Sequence, residues 1–328
     1  MPARRRWLLR WLLAATSTLI TLACLELVLC RIVPKNGMTP FQSSTTEGLP
    51  YELRPGFKTL YKSAEVRIND LGFRGPSPDP NRPVHLALVG DSVTFGNCIG
   101  EDQTLACHLQ STLAARGIAL QVLNCGVPGY NVENVVRFAE ARVLDLNPAL
   151  VVYVFVANDV SPSRGRTDPP PEAVIDPYAQ FPLRSALLQF VGIRAKPLLQ
   201  SIGLIRGGWT MSLLEEWRQG GDQRLRENLQ ELRQKTGERS IPLLVAAYPF
   251  MVAPRQNPFT PIEQSCAALC AELSIPFASL SHAFAPDENL IELWSNLFDS
   301  HPSSEANRRV SAVLADAVTP LLQPRSNH

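Results

Sequence analysis

The run Leu88-Val89-Gly90-Asp91-Ser92-Val93-Thr94-Phe95-Gly96 closes an apolar stretch with a serine set between glycines. A serine on a strand-to-helix turn presents its hydroxyl at a sheet edge with neighbouring backbone N–H groups turned outward, which is what a nucleophile beside an oxyanion site needs. Taken alone, Gly-Asp-Ser is more often a turn or a helix cap, and it is not the Gly-x-Ser-x-Gly elbow of the α/β-hydrolases. A second apolar run ends in Asn124-Cys125-Gly126-Val127-Pro128-Gly129-Tyr130-Asn131. Two glycines around a proline mark a tight loop whose backbone can approach a ligand, or simply turn the chain. A third run ends in Val156-Ala157-Asn158-Asp159, where the asparagine amide can donate to a developing oxyanion or open a turn. Last, Phe298-Asp299-Ser300-His301-Pro302 places a histidine just before a terminal helical pattern. The aspartate two residues earlier can orient its ring and select the tautomer. Of the other histidines (His85, His108, His282 and His328), His282 is the rival base, because it follows a strand-like run.

The elements that must position these residues are legible as alternating patterns. Short, mostly aliphatic runs at 84–89, 120–124, 150–156, 242–248 and 276–280 are bounded by Gly, Pro or Asn, and predict a parallel sheet covered on both faces. Helical patterns at about 102–115, 131–145, 222–237, 260–273 and 303–322 lie between and after them, with Asn131 as a cap for the second. The alternation predicts a three-layer α/β/α sandwich with a mainly five-stranded parallel sheet over residues 83–323, in which ligands bind at the carboxyl ends of the strands. Residues 34–82 read as a linker and capping segment, with a hairpin over 65–75, and 324–328 as a tail.

Taken together and in this order, the blocks resemble the GDSL or SGNH hydrolase superfamily, over about residues 83–323. The resemblance implies a flavodoxin-like SGNH fold and serine-dependent hydrolysis of a carboxylic ester. It makes Ser92 the nucleophile and, through its backbone N–H, one oxyanion donor. Gly129 is the second donor, Gly126 being the less favoured choice, and Asn158 is the third. His301 is the base and Asp299 its orienter. Two departures from the family pattern stand out: Val156 replaces the glycine of a Gly-x-Asn-Asp block, and the last block is Asp-x-His instead of Asp-x-x-His. The stretch Ile68-Asn69-Asp70-Leu71-Gly72-Phe73-Arg74-Gly75 resembles that of membrane-anchored bacterial members. An acyltransferase acting on a glycan hydroxyl, and a non-catalytic envelope binding protein, are the alternatives.

The 328 residues carry a formal net charge of +1 and no basic field for nucleic acid. Five arginines (Arg4, Arg5, Arg6, Arg10 and Arg31) crowd the first 33 residues against one acid, Glu26. Between Arg10 and Arg31 the chain is apolar for long enough to span a bilayer core of about 30 Å. A signal peptide would have a shorter apolar core followed by a small-residue cleavage site. The lipoprotein-like Leu22-Ala23-Cys24 has Thr21 where that signal takes an apolar residue. The expectation is therefore an uncleaved anchor over 1–33, N-terminus cytoplasmic by its flanking charge, with the catalytic domain extracytoplasmic, periplasmic in a bacterium. Glu26 is expected near the outer end, reaching the interface. Seven cysteines, two of them in the anchor, leave an odd number outside, so at least one thiol there stays unpaired within the chain. No metal-ligand spacing, phosphate loop or dinucleotide fingerprint is present, so no cofactor is expected. Residues 161–220 read as an insertion after the third strand, basic and apolar in its middle, suited to a lid, to resting on the membrane, or to a helical pair packed on the core.

Overall fold

A computed structural model describes residues 3–32, 38–79, 84–162, 185–188, 190–192, 195, 209–252 and 257–322. The chain divides into two compact units: residues 1–34 with 175–206, and residues 35–174 with 207–328.

The larger unit is built on a five-stranded sheet of β5 (Val84–Gly90), β6 (Gln121–Gly126), β7 (Leu150–Phe155), β8 (Leu243–Ala247) and β9 (Phe277–Ser279). The order is β6-β5-β7-β8-β9, and every neighbouring pair is parallel. Each strand falls within a residue or two of the apolar run that predicts it, because a strand covered on both faces has no polar side to break the run: every residue of β7 and β8 is buried. Along β5 and β7, Leu86, Leu88, Leu150, Val152 and Val154 share one core cluster with Leu105, Leu109 and Leu113 of α3 (Leu105–Ala115) and Val310, Leu314 and Val318 of α8 (Ser304–Leu322). On the other side α4 (Val132–Phe138), α6 (Asp222–Glu238) and α7 (Thr260–Glu272) pack side by side. Asn131 caps α4, its side chain accepting from the Asn134 N–H at 3.0 Å. Each fully buried Leu, Val or Ile in these layers contributes roughly 1.5–3 kcal/mol.

The segment expected as linker and cap belongs to this same unit. Two small hairpins, β1 (Phe41–Ser43) with β2 (Tyr51–Leu53) and β3 (Lys58–Tyr61) with β4 (Ala64–Arg67), bury Phe41, Tyr51, Leu53, Tyr61 and Val66. The hairpin expected over 65–75 is thus displaced: β3 and β4 pair over 58–67, and 68–74 closes a loop bridged between Ile68 and Arg74. A further hairpin, β10 (Trp294–Asn296) with β11 (Asp299–Pro302), precedes α8, where a plain loop was expected.

In the smaller unit, α1 (Ala3–Ile32) contains the single described helix long and apolar enough to cross a membrane, Arg6–Ile32. Its Glu26 carboxylate does not stand alone. It accepts hydrogen bonds from the Ser185 hydroxyl (2.7 Å) and from the Ala186 and Leu187 N–H groups (2.8 and 2.9 Å). Most of the 161–220 insertion lies outside the described residues. Of the rest, 186–188 are helical and α5 (Trp209–Glu216) leads toward α6.

Candidate active site

Strand order brings three of the sequence blocks to one edge. β5 lies between β6 and β7, so the segments leaving the carboxyl ends of all three are neighbours, and the chain reverses its direction of winding at β5/β7. That switch point is where open α/β sheets leave a crevice for a ligand. Ser92 leaves β5 as the first residue of α2 (Ser92–Phe95), a helix of a single turn. Asp91 caps it, accepting from the Val93 N–H at 2.8 Å, and Gly96 ends it at φ 90°, where a side chain would be strained. Gly90 and Gly126 pack this turn closely. A Cβ on Gly90 would stand 2.2 Å from Thr94 Oγ1 and 2.8 Å from the Val154 carbonyl; one on Gly126 would stand 2.3 Å from the Phe95 nitrogen. Gly126 therefore serves close approach to α2, whereas Gly129 sits farther out on the loop at φ 83°, beneath Tyr51. The Tyr51 hydroxyl donates to the Pro128 carbonyl at 2.8 Å, and a Cβ on Gly129 would meet that hydroxyl at 2.6 Å.

His301 reaches this edge from β11. Its Nε2 accepts from the Ser92 hydroxyl at 2.8 Å, and the Asn97 amide lies 3.3 Å from the same nitrogen. Nδ1 donates to Asp299 Oδ1, which also accepts the His301 backbone N–H at 3.0 Å. The Asp-x-His spacing is explained by the extended backbone: residues i and i+2 of a strand project from the same face, so the carboxylate lies alongside the ring. With an ionised acid on Nδ1, Nε2 is left as the acceptor facing the serine. Burial would push the Asp299 carboxyl up, but the neighbouring His301 imidazole and Lys62 ammonium hold it well below the usual carboxylate range. Asn158 donates from Nδ2 to Asp91 Oδ2 at 2.9 Å, and the Ser92 hydroxyl lies 3.3 Å from that same oxygen. The asparagine amide carries a second N–H for an incoming oxyanion. Asp159, next in the chain, is wholly buried, accepting from the Tyr153 hydroxyl (2.7 Å) and the Val156 N–H (3.1 Å), so it shapes the turn that holds Asn158. Burial, with Asp91 nearby, pushes its carboxyl well up. His282 lies in a short 3-10 turn after β9, with no contact to Ser92 among the described residues.

Three contributors lie outside the sequence reading of the site. Asn97 and Lys62 reach His301 and Asp299 across 204 and 237 positions, and no local pattern announces such contacts. Arg74 is nearly buried and donates to the Phe95 carbonyl at 2.8 Å and to the carbonyls of Gly96 and Ile99, clamping the chain that follows the nucleophile. Burial lowers its guanidinium to about 10, so it remains a cation at neutral pH. The eight-residue stretch ending in Gly75 was a signal for this role. Among the described residues no cluster of His, Cys, Asp or Glu is arranged to hold a metal ion, and all seven cysteines are free thiols.

The family model for the GDSL-like lipase/acylhydrolase family matches residues 88–309, more than half of the chain and all four blocks. The chain belongs to that family. Solved structures with a similar fold include a lipase/acylhydrolase from Enterococcus faecalis, 19% identical, covering 74% of this chain and 100% of its own, with a TM-score of 0.46. An acetylxylan esterase from Geobacillus stearothermophilus is 13% identical over 73% of this chain and 95% of its own (TM-score 0.43). A G-D-S-L family protein from Desulfitobacterium hafniense is 14% identical over 71% and 99% (TM-score 0.44). No curated protein sequence matches. A GDSL-type esterase is thus the enzyme class of this chain.

Proposed function

We propose that this GDSL-family esterase is a membrane-anchored serine hydrolase working outside the cytoplasm, with Ser92 as nucleophile. The observation that carries the reading is the unbroken hydrogen-bonded chain from the Ser92 hydroxyl through the His301 ring to Asp299. His301 takes the Ser92 proton as the hydroxyl attacks an ester carbonyl, and returns it to the leaving alcohol. Water, activated by the same nitrogen, then releases the acyl group. The oxyanion sits among the Ser92 and Gly129 N–H groups and the Asn158 amide, each donor contributing about 3–4 kcal/mol in the transition state. The α1 span, with its arginines on the N-terminal side, supports an anchor whose large unit faces away from the cytoplasm.

Full-length enzyme in detergent is expected to hydrolyse p-nitrophenyl acetate and to be labelled by a fluorophosphonate. Ser92→Ala and His301→Ala should each lower kcat on the order of 10⁶-fold, and the double variant should be little worse, because the two act as one unit. Turnover retained in Ser92→Ala would refute the mechanism.

A further inference from the structure

A cation enters the active site from the N-terminal hairpin. β3 and β4 are joined by a two-residue turn at Lys62 and Ser63, with φ of 50° and 66°. Such a turn favours Asn and Gly, which tolerate positive φ, and neither is present. The strained tip therefore holds a residue that local preference disfavours, a pattern that accompanies functional positions. The Lys62 side chain is 12% exposed, and its Nζ lies 2.8 Å from Asp299 Oδ2. Both carboxylate oxygens are thereby committed, Oδ1 to His301 and Oδ2 to Lys62.

We infer that Lys62 is a positioning residue for the catalytic acid: by holding Oδ2 it fixes the rotation of the Asp299 carboxylate so that Oδ1 stays aligned with His301 Nδ1. The inference rests on the serine mechanism proposed above. Without Lys62 the carboxylate keeps His301 on Oδ1 and, besides it, only the weak thiol donor of Cys98, so it can swing about its side-chain bond, and misplacement of an orienting group by an ångström is transmitted to the base. Lys62 is placed to prevent that swing from the side opposite the ring.

The test compares full-length wild type, Lys62→Met, Lys62→Arg and Lys62→Gln on p-nitrophenyl acetate, with active sites titrated by fluorophosphonate so that rates refer to folded enzyme. Lys62→Met is expected to lower kcat by roughly 10- to 100-fold with KM changed by less than about twofold. Lys62→Arg should restore kcat. In an Asp299→Asn background the same Lys62→Met change should cost less than about threefold, since its target is gone. A wild-type kcat in Lys62→Met, or a loss of the same size in both backgrounds, overturns the inference. If Lys62→Met does not fold, Lys62→Gln decides: its shorter amide does not reach Oδ2 from the same position, so kcat must fall, and fall less in the Asp299→Asn background; a wild-type kcat, or equal losses in both backgrounds, overturns the idea. Ser92→Ala, run alongside, separates the two readings. An inactive Ser92→Ala with a normal Lys62→Met removes the role of Lys62 alone, whereas an active Ser92→Ala removes the mechanism beneath it.

Discussion

Asp299 shows how much a single side chain depends on what surrounds it. It is the first residue of an Asp-x-His triplet that departs from the family spacing, yet an extended strand puts it beside the imidazole as effectively as a longer loop would. Its carboxyl is depressed by His301 and Lys62 against the opposing effect of burial, and the sign of the resulting pH dependence follows. A carboxylate lowered in the folded state contributes stability that is present above its unfolded pKa of about 3.9 and is lost as pH falls through the folded value. Asp299→Asn should therefore be less stable than wild type near neutrality, by roughly 3–5 kcal/mol because Lys62 is left buried without its partner. It should also lose less of its Tm between about pH 5 and pH 3. Thermal unfolding scans of both proteins across that range check it, and parallel curves would mean that Asp299 is not the group responsible. On activity the same variant should cost on the order of 10⁴-fold, less than His301→Ala, because the base itself remains.

At the scale of elements, what the sequence made readable was whatever is uniformly buried. The sheet strands appear as continuous apolar runs, and their helices as periodic patterns, because each buries a whole face. The hairpins β3–β4 and β10–β11 are harder to read, their strands being only three or four residues long: β4 alternates over too few residues to mark its ends, and β10 is half-buried throughout. Both matter to the site, since one supplies Lys62 and the other Asp299 and His301. The blocks at the strand ends were readable by kind, but Lys62 and Asn97 were not, because only the folded chain brings them near. Arg74 links the N-terminal segment to α2 through three carbonyls on the chain just after the nucleophile turn. Arg74→Met keeps most of the length but leaves the Gly96 and Ile99 carbonyls without a donor, each costing about 1–3 kcal/mol where it is buried, while the Phe95 carbonyl keeps the Asn124 amide. We expect a fall of several kcal/mol in the denaturant-extrapolated stability. Arg74→Lys should recover little of it, since one ammonium cannot span the positions that a guanidinium fork reaches. Full recovery by lysine would show that charge alone matters there.

For the whole molecule, the division into two units assigns the proposed catalytic groups to one and the long apolar helix to the other. The larger unit holds the sheet and all the proposed catalytic groups; the smaller joins α1 to residues 175–206. Glu26 was expected to stand near the interface because an isolated carboxylate in a span is costly. Its two oxygens take up the Ser185 hydroxyl and the Ala186 and Leu187 N–H groups, donors that have no partner earlier in their own helix. Each side thus resolves the other's problem, an acid in an apolar helix and unpaired N–H groups at a helix start, and α1 caps the helical residues 186–188. In a setting without water such N–H groups cost several kcal/mol each if left unpaired. Glu26→Leu should therefore release the segment: protease cleavage between 175 and 206 should speed up in membrane-embedded enzyme, while the level of protein in the membrane fraction stays the same. Glu26→Gln, which keeps one carbonyl acceptor, should fall between the two. Equal cleavage rates in all three would show that the insertion is held by other contacts and that Glu26 has no part in holding it.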